Sequence, residues 1–190
     1  MTKKTDAALG MLFASATVAL IALLFANDAF FRWAFERHQN LLSWYIRPLF
    51  VIPLVFFAFR RSWSGMFASM FALFTSMFWF PPPEEIDPRA EAFLAFEMDY
   101  LRGTWTAPKI AASLAVPVFF LMILSAAWKR KWRWLIGAIA GGALLKVFWS
   151  VAFGGESGAS VVKPALLGLL ICVSAVGLIR WKHRKSGKRS

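Results

Sequence analysis

Cysteine is nearly absent from this chain of 190 residues, which contains only Cys172. A single thiol cannot form an intramolecular disulfide, and it cannot supply a cysteine-rich metal site. The sequence also lacks a phosphate-binding glycine loop, a His-x-x-x-His pair and a serine in a nucleophile-elbow setting. It therefore predicts no catalytic residue, no metal site and no cofactor.

Acidic residues are scarce as well, since 10 Asp and Glu stand against 22 Lys and Arg, for a net charge of +12. Apolar residues make up 59% of the chain and the mean hydropathy is +0.58, whereas soluble domains are about 45–50% apolar. The basic residues stand at the ends of hydrophobic runs. Anionic lipid headgroups are therefore the expected partners, and nucleic acid is not.

Six hydrophobic segments are long enough to cross a bilayer, which requires about 20 mostly apolar residues per helix. They are residues 7–26, 41–59, 63–80, 110–128, 134–154 and 161–179. The first is expected to remain as a helix rather than to be a cleaved signal peptide, because its apolar run exceeds the usual 7–15 residues. The chain is thus predicted to be an all-α integral membrane protein, a single domain with six transmembrane helices.

The charges around these spans predict the orientation, because basic residues concentrate on the cytoplasmic side of a membrane. With the N-terminus in the cytoplasm, Asp6 is the only acid on the inner side, and most basic residues lie there. These inner basic residues are Lys3, Lys4, Arg60, Arg61, Lys129, Arg130, Lys131, Arg133, Arg180, Lys182, Arg184, Lys185, Lys188 and Arg189. Both termini are then cytoplasmic, with 180–190 as a basic tail. The small size and the absence of targeting elements favour a bacterial inner membrane, which is a plasma membrane.

Two segments on the outer side are predicted to be amphipathic helices rather than spans. Residues 28–40 place aromatic side chains on one helical face and charged side chains on the other. Residues 88–102 follow a run of three prolines, 81–83, that ends the third span. Asp87 suits the N-cap of this second helix, and Pro88 suits its first position. We expect both helices to lie along the outer membrane surface.

Two ionisable residues fall in the middle of the apolar faces of these outer helices, His38 in the first and Glu97 in the second. A carboxylate turned toward low dielectric is costly unless it is paired. Four basic residues lie at a comparable depth, in the outer halves or at the outer ends of the spans: Arg47, Lys109, Lys146 and Lys163. Together these residues predict a positively charged pocket that opens outward and binds an anionic ligand.

Structural interpretations of the same residues stay open. Arg47, Lys109 and Lys163 can each extend their charge to the lipid headgroups. Lys146 can belong to a structural ion pair, since a cation this deep in a span must face the bundle or a wet cavity. Glu97 can bridge to a basic residue and so hold its outer helix against the bundle.

The pocket favours a small transporter or channel for an anionic solute or a lipid headgroup. An accessory or scaffold subunit of a larger membrane complex is an alternative, and the protein could also be a homo-oligomer. A third interpretation is an intramembrane enzyme that acts on a lipid headgroup. His38 and Glu97 would then be the acid–base pair, with Arg47 and Lys146 as anion clamps.

A repeated pattern marks the spans that run from outside to inside. Each has a basic residue beside a proline near its outer end, and each ends with tryptophan among basic residues. The basic–proline pairs are Arg47-Pro48, Pro108-Lys109 and Lys163-Pro164. The pattern fits three helical hairpins in a parallel repeat, although basic residues, tryptophan and proline also mark helix ends in general.

Overall fold

All of the regular structure in the described part of the chain is helical. The computed structural model describes residues 1–186, without the side chains of 182–184 and 186. The α-helices are α1 (Lys3–Ala26), α2 (Asp28–His38), α3 (Leu42–Ile46), α4 (Val51–Phe59), α5 (Trp63–Thr75), α6 (Pro88–Arg102), α7 (Ala107–Trp128), α8 (Trp132–Gly158) and α9 (Val162–Ser186). Short 3-10 turns, Arg47–Phe50, Ser76–Phe78 and Ala159–Val161, join α3 to α4, extend α5, and join α8 to α9.

The expectation of an all-helical fold is confirmed for this part of the chain, and four of its helices are long and apolar enough to cross a membrane. They are Lys3–Ala26, Leu42–Phe59, Ala107–Trp128 and Trp132–Trp181, and Trp63–Phe78 is a shorter apolar helix. The predicted span 161–179 continues as helix into the basic tail as far as Ser186. The rest of that tail, and the side chain of His183, lie outside the described residues.

The longest apolar segment, Trp132–Trp181, turns back on itself at Gly155. At 1.5 Å per residue a straight helix of its 50 residues would be about 75 Å long, more than twice the roughly 30 Å of a bilayer core. Gly155 has φ 57° and ψ −135°, a conformation that side-chain-bearing residues rarely adopt. Beyond it, α9 runs back along α8, because Ile139 and Cys172 share one buried cluster.

The basic segments meet at one end of the bundle, which we call the basic end and define by Lys3, Lys4, Arg60, Arg61 and 129–133. The Asp6 carboxylate of α1 accepts hydrogen bonds from Ser62 Oγ (2.9 Å) and from the backbone N–H of Trp63 (2.8 Å). The ring of Trp63 lies 5.2 Å from that of Trp128 at the end of α7. Therefore α1, the α4–α5 turn and the α7–α8 turn are in contact.

The opposite end, the acidic end, is covered by α2 and α6. Buried residues of α2 and α6 form one cluster with Trp44, Met77 and Val161 of the bundle: Phe31, Ala34, Phe35, Ala90, Phe93 and Leu94. Arg102, in the last turn of α6, forms an ion pair with Asp28 (2.8 Å). The two predicted amphipathic helices therefore exist, and each buries its apolar face against the bundle.

The local signals for α6 act as the sequence predicts. The Asp87 side chain accepts hydrogen bonds from the backbone N–H groups of Arg89 (2.8 Å) and Ala90 (3.2 Å). Pro88 is the first residue of the helix. Because an N-cap satisfies backbone donors that have no helical partner, this cap fixes where α6 begins and hence which face Glu97 occupies.

We expect Gly10→Val to destabilise the bundle by about 1–3 kcal/mol, the usual cost of overpacking. A β-carbon at Gly10 would lie 2.9 Å from Trp63 Cβ and 3.0 Å from its carbonyl carbon, so α1 would be pushed away from α5. The matched control is Gly137→Val, since nothing lies within 4 Å of a β-carbon there. Thermal unfolding in detergent measures both variants, and an equal loss in both would contradict the close contact.

Candidate functional site

The candidate site begins at the end of α2, where His38 is buried with 6% of its surface exposed. The chain turns at Asn40 and starts α3, which brings Ser43 under the imidazole. Ser43 Oγ lies 2.7 Å from His38 Nδ1 and donates to the Asn40 carbonyl (2.8 Å). The Trp44 indole N–H donates to the His38 carbonyl (2.8 Å). This turn therefore holds the histidine from both its ring and its backbone.

Arg47 completes the histidine environment, with Nη1 3.1 Å from His38 Nε2. A guanidinium can only donate, so Nε2 must accept and carries no proton. The hydroxyl proton of Ser43 is used by Asn40, so Nδ1–H donates to Ser43 Oγ. The hydrogen bonds thus assign His38 as the neutral tautomer with its proton on Nδ1.

The surroundings of His38 also disfavour the charged form of its ring. Burial lowers the pKa of His38 well below 6.5, and the positive charges of Arg47 and Lys146 lower it further, against a smaller opposing effect from the Met77 backbone. Loss of water penalises the imidazolium, and like charges add to that penalty. His38 is therefore neutral in the folded protein at pH 7.

Glu97 and Lys146 form an ion pair between α6 and α8, with 2.7 Å between Lys146 Nζ and Glu97 Oε1. The carboxylate side chain is 20% exposed and the lysine side chain 48% exposed, so the pair is partly open to the surroundings and does not lie in the bundle interior. Lys146 Nζ also lies over the rings of Phe93 (5.3 Å) and Trp149 (5.2 Å). The same carboxylate interacts electrostatically with Arg47.

The other two predicted pocket residues lie elsewhere. Lys109 is buried and donates to the Gly103 carbonyl (2.8 Å), with its ammonium group over the rings of Tyr100 (4.9 Å) and Trp105 (4.4 Å). Lys163 is exposed at the start of α9 and forms no ion pair with any residue in the described part of the chain. Of the six predicted residues, the structure brings four together, namely His38, Arg47, Glu97 and Lys146.

This four-residue group, the His38–Lys146 cluster, has an excess of positive charge. Arg47 and Lys146 are cations, Glu97 is the one carboxylate, and His38 is neutral. Within residues 1–186, Arg47 makes one side-chain hydrogen bond, to His38, although a guanidinium has five N–H donors. Arg47 can therefore donate a hydrogen bond to a further anionic oxygen without breaking its bond to His38.

A depression of about 250 Å³ lies beside the α2–α3 turn. Its lining residues are Gln39, Asn40, Leu41, Leu42, Tyr45, Pro83, Glu85 and Asp87. The two carboxylates in that lining disfavour an anion, and none of the four predicted basic residues contributes to it. This depression is therefore not part of the site formed by Arg47 and Lys146.

Ser43 and Trp44 belong to the site but are absent from the sequence-based set. Their signal is weak, because a serine and a tryptophan after a helix end are common. The informative hint is their position directly after the polar run 37–40, which interrupts an apolar stretch. Burial of His38 requires polar partners close in sequence, and Ser43 is the first hydroxyl after it.

No protein-family model, curated protein or solved structure matches this chain. What the protein can bind is therefore inferred from its own geometry. Within the residues that the structure describes, no group of three or more His, Cys, Asp or Glu side chains is placed to hold a metal ion. The chemistry that these residues do offer is recognition of an anion by a guanidinium and an ammonium group.

We expect acidification from pH 7.5 to 5.5 to destabilise the protein through His38. Below about pH 6.5, His38 binds a proton in the unfolded chain but stays neutral in the folded chain, because its pKa is lowered there. This contribution to stability is complete above that pH and falls as the pH is lowered, by about 1 kcal/mol at pH 5.5. Unfolding in detergent across this range measures the dependence, and His38→Gln should flatten it.

The control for this pH dependence is His183→Gln, which removes the other of the two histidines in the chain. The control variant should keep the slope of the unmodified protein. An unchanged slope in His38→Gln would show that the imidazole does not titrate on unfolding.

Proposed function

We propose that the protein crosses the membrane six times, with the basic end in the cytoplasm and the acidic end outside. The four long helices become six passes if Trp132–Trp181 contributes two, on either side of Gly155, and Trp63–Phe78 contributes one. The positive-inside rule supports this orientation, because the basic loops share one end of the bundle. The plasma membrane of a bacterium remains the proposed location.

We further propose that the protein binds an anionic solute at the His38–Lys146 cluster, as a small transporter or channel. One observation carries this proposal: two cations face a single carboxylate next to a neutral histidine. A net positive charge in a partly buried group is costly, and an added anion would offset that cost. A carboxylate or a phosphate matches the paired donors of Arg47.

Each residue of the cluster has a distinct part in the proposed binding. His38 accepts one N–H of Arg47 and so fixes the plane of the guanidinium. The remaining donors of Arg47 would take the oxygens of the anion. Lys146 would share its ammonium between Glu97 and the ligand, since it is half exposed and its chain is flexible. An ion that replaces Glu97 at Lys146 would loosen α6, which connects binding to movement of the outer helix.

Two other interpretations receive different support. The enzyme interpretation is weakened, because Nε2 of His38 already accepts a hydrogen bond and Nδ1–H is held by Ser43. The accessory-subunit interpretation gains from α8, whose outward face carries exposed Leu144 and Phe148 beside Gly137. A β-carbon at Gly137 meets nothing within 4 Å, so a partner helix, from a second copy or from another protein, could approach closely there.

The proposed orientation predicts that reporter fusions at Glu85 and Arg130 fall on opposite sides of the membrane. Glu85 lies in the acidic loop before α6 and Arg130 in the α7–α8 turn, at opposite ends of the bundle. A fusion at Lys4 should match the one at Arg130. Compartment-specific alkaline phosphatase and fluorescent reporters measure this, and activity of Glu85 and Arg130 fusions in one compartment would refute the orientation.

The anion proposal predicts that inorganic phosphate, glycerol 3-phosphate or succinate raises the unfolding temperature of the purified protein. Arg47→Gln and Lys146→Gln should each weaken the affinity roughly tenfold or more, because each removes a charge-assisted hydrogen bond. Lys163→Gln is the matched control, since Lys163 is exposed and outside the cluster. Absence of stabilisation by all three anions, with the protein folded, would favour the accessory-subunit interpretation.

A further inference from the structure

The α4–α5 and α7–α8 turns have the same backbone structure. Arg61 has φ 56° and Arg130 has φ 54°, and they are the only residues other than glycine with positive φ in the described chain. Each arginine follows the end of a helix, and the same two backbone hydrogen bonds close each turn. In the first turn, Arg61 N–H donates to Ala58 O and Ser62 N–H to Phe57 O. In the second, Arg130 N–H donates to Ala127 O and Lys131 N–H to Ala126 O. Both turns are therefore Schellman motifs closed by an arginine.

The two turns also contact each other reciprocally. The shift in numbering that takes Arg61 to Arg130 takes Phe59 to Trp128 and Trp63 to Trp132. The ring of Trp63 lies 5.2 Å from Trp128, and the ring of Phe59 lies 5.6 Å from Trp132. Each arginine also lies over the ring of the other turn, Arg61 over Trp128 (5.9 Å) and Arg130 over Phe59 (4.5 Å). Contacts exchanged in this way are those of a two-fold axis.

The same shift relates the helices below the turns. It takes the buried Leu54, Ala58 and Met66 to Ile123, Ala127 and Leu135, which are also buried in the same cluster. It takes Pro48 to Pro117, so the pairing differs from the basic–proline pairing that the sequence suggests. The hairpins α4–α5 and α7–α8 are thus two copies of one unit, related by a pseudo-two-fold axis along the bundle.

The first copy holds an anion at its turn, and that anion is the Asp6 side chain. Its carboxylate accepts from the backbone N–H of Trp63 (2.8 Å) and of Ser64 (3.2 Å) and from the Ser62 and Ser64 hydroxyls. Backbone donors at a helix N-terminus favour negative charge. The turn of this unit is therefore able to bind a carboxylate, and here α1 supplies it.

The second copy has no such carboxylate among the described residues, and it carries cations instead. The shift takes Ser62 to Lys131 and Ser64 to Arg133, so both hydroxyls that hold Asp6 are replaced by basic side chains. The N-terminus of α8 has no side-chain cap within the described part of the chain. The backbone N–H of Trp132, the counterpart of the Trp63 N–H, donates to the Arg130 carbonyl (3.1 Å). Lys131 and Arg133 are both exposed, and neither has an ion pair among the described side chains.

We propose that the α7–α8 turn binds the phosphate of an anionic phospholipid, beside the backbone N–H of Arg133, which corresponds to the Ser64 N–H that holds Asp6 on the α4–α5 turn. The surrounding tryptophans favour a lipid over a free ion. Trp134 is 70% exposed and Trp128 and Trp132 flank the turn, and tryptophan rings lie at headgroup depth in membranes. Lys131 and Arg133 add charge complementarity to the phosphate. This inference rests on the proposed membrane placement of the basic end, but not on the anion site at the acidic end.

The test is retention of lipid by the full chain in mild detergent. Purified protein is mixed with micelles that contain phosphatidylglycerol or phosphatidylcholine, and bound lipid is counted by native mass spectrometry. We expect phosphatidylglycerol to be retained and phosphatidylcholine not. Lys131→Gln combined with Arg133→Gln removes both cations without supplying the serine hydroxyls of the first turn, and it should weaken retention roughly tenfold or more. Lys3→Gln with Lys4→Gln removes the same charge from the same end and should change retention less than threefold.

Three results would overturn the proposal. Equal loss in the two double variants would mean that the lipid follows the general charge of the basic end. Unchanged retention in the Lys131/Arg133 variant would remove the turn as the site. Competition by inorganic phosphate at the same concentration as the lipid would make a free phosphate the ligand. Reporter fusions test the orientation separately, and variants at Arg47 and Lys146 test the acidic end, so each failure can be told apart.

Discussion

Removal of charge from water is the constraint on which this structure depends. An isolated charge in an apolar bundle is costly, so it must be paired, hydrogen-bonded or carried to the end of a helix. The chain follows this rule with few exceptions. The basic loops collect at one end, the acidic loops and the amphipathic helices at the other, and Arg47, Lys109 and Lys146 meet partners in between. Each of these partners is different, and the differences decide which cation is available to a ligand.

Lys109 and Lys146 illustrate the point. The ammonium group of Lys109 contacts one backbone carbonyl and two aromatic rings, all of them neutral. Lys109 is buried among these partners. Lys146 is paired with a carboxylate on a different helix and keeps half of its side chain exposed. Arg47 donates one hydrogen bond, to the neutral His38 ring. Most of the N–H donors of its guanidinium make no hydrogen bond with the described residues. The cluster at the acidic end thus combines structural support with unused hydrogen-bonding capacity.

Much of the fold follows from local sequence signals. Apolar runs give the long helices, the Asp87 cap and the prolines before it give the start of α6, and the apolar stripes of α2 and α6 give their packed faces. The placement of His38 and Glu97 on those faces follows from helical periodicity alone. These features depend on residues within one or two helical turns of each other, which is why sequence reasoning reaches them.

Features that depend on tertiary contacts cannot be predicted from these local signals. Glu97 pairs with Lys146, but nothing in the spacing distinguishes that lysine from Lys109 or Lys163 as a partner. The hairpin repeat is hidden as well, because Schellman turns usually end in glycine and here arginine takes that position. The basic–proline pairs suggest a different alignment, since proline marks the start of α7 as well as its middle. The matching backbone of the two turns and the reciprocal ring contacts across the bundle reveal the shift that relates the two hairpins.

The contact of Asp6 with the α4–α5 turn has a consequence for how the protein is made. A chain is synthesised from its N-terminus, so α1 is made before Ser62 and Trp63. Until then the Asp6 carboxylate lacks the backbone N–H groups of Trp63 and Ser64, and α1 lacks its contact with α5. The contact of the first helix with the rest of the bundle is therefore completed only when the α4–α5 turn of the nascent chain is in place beside it.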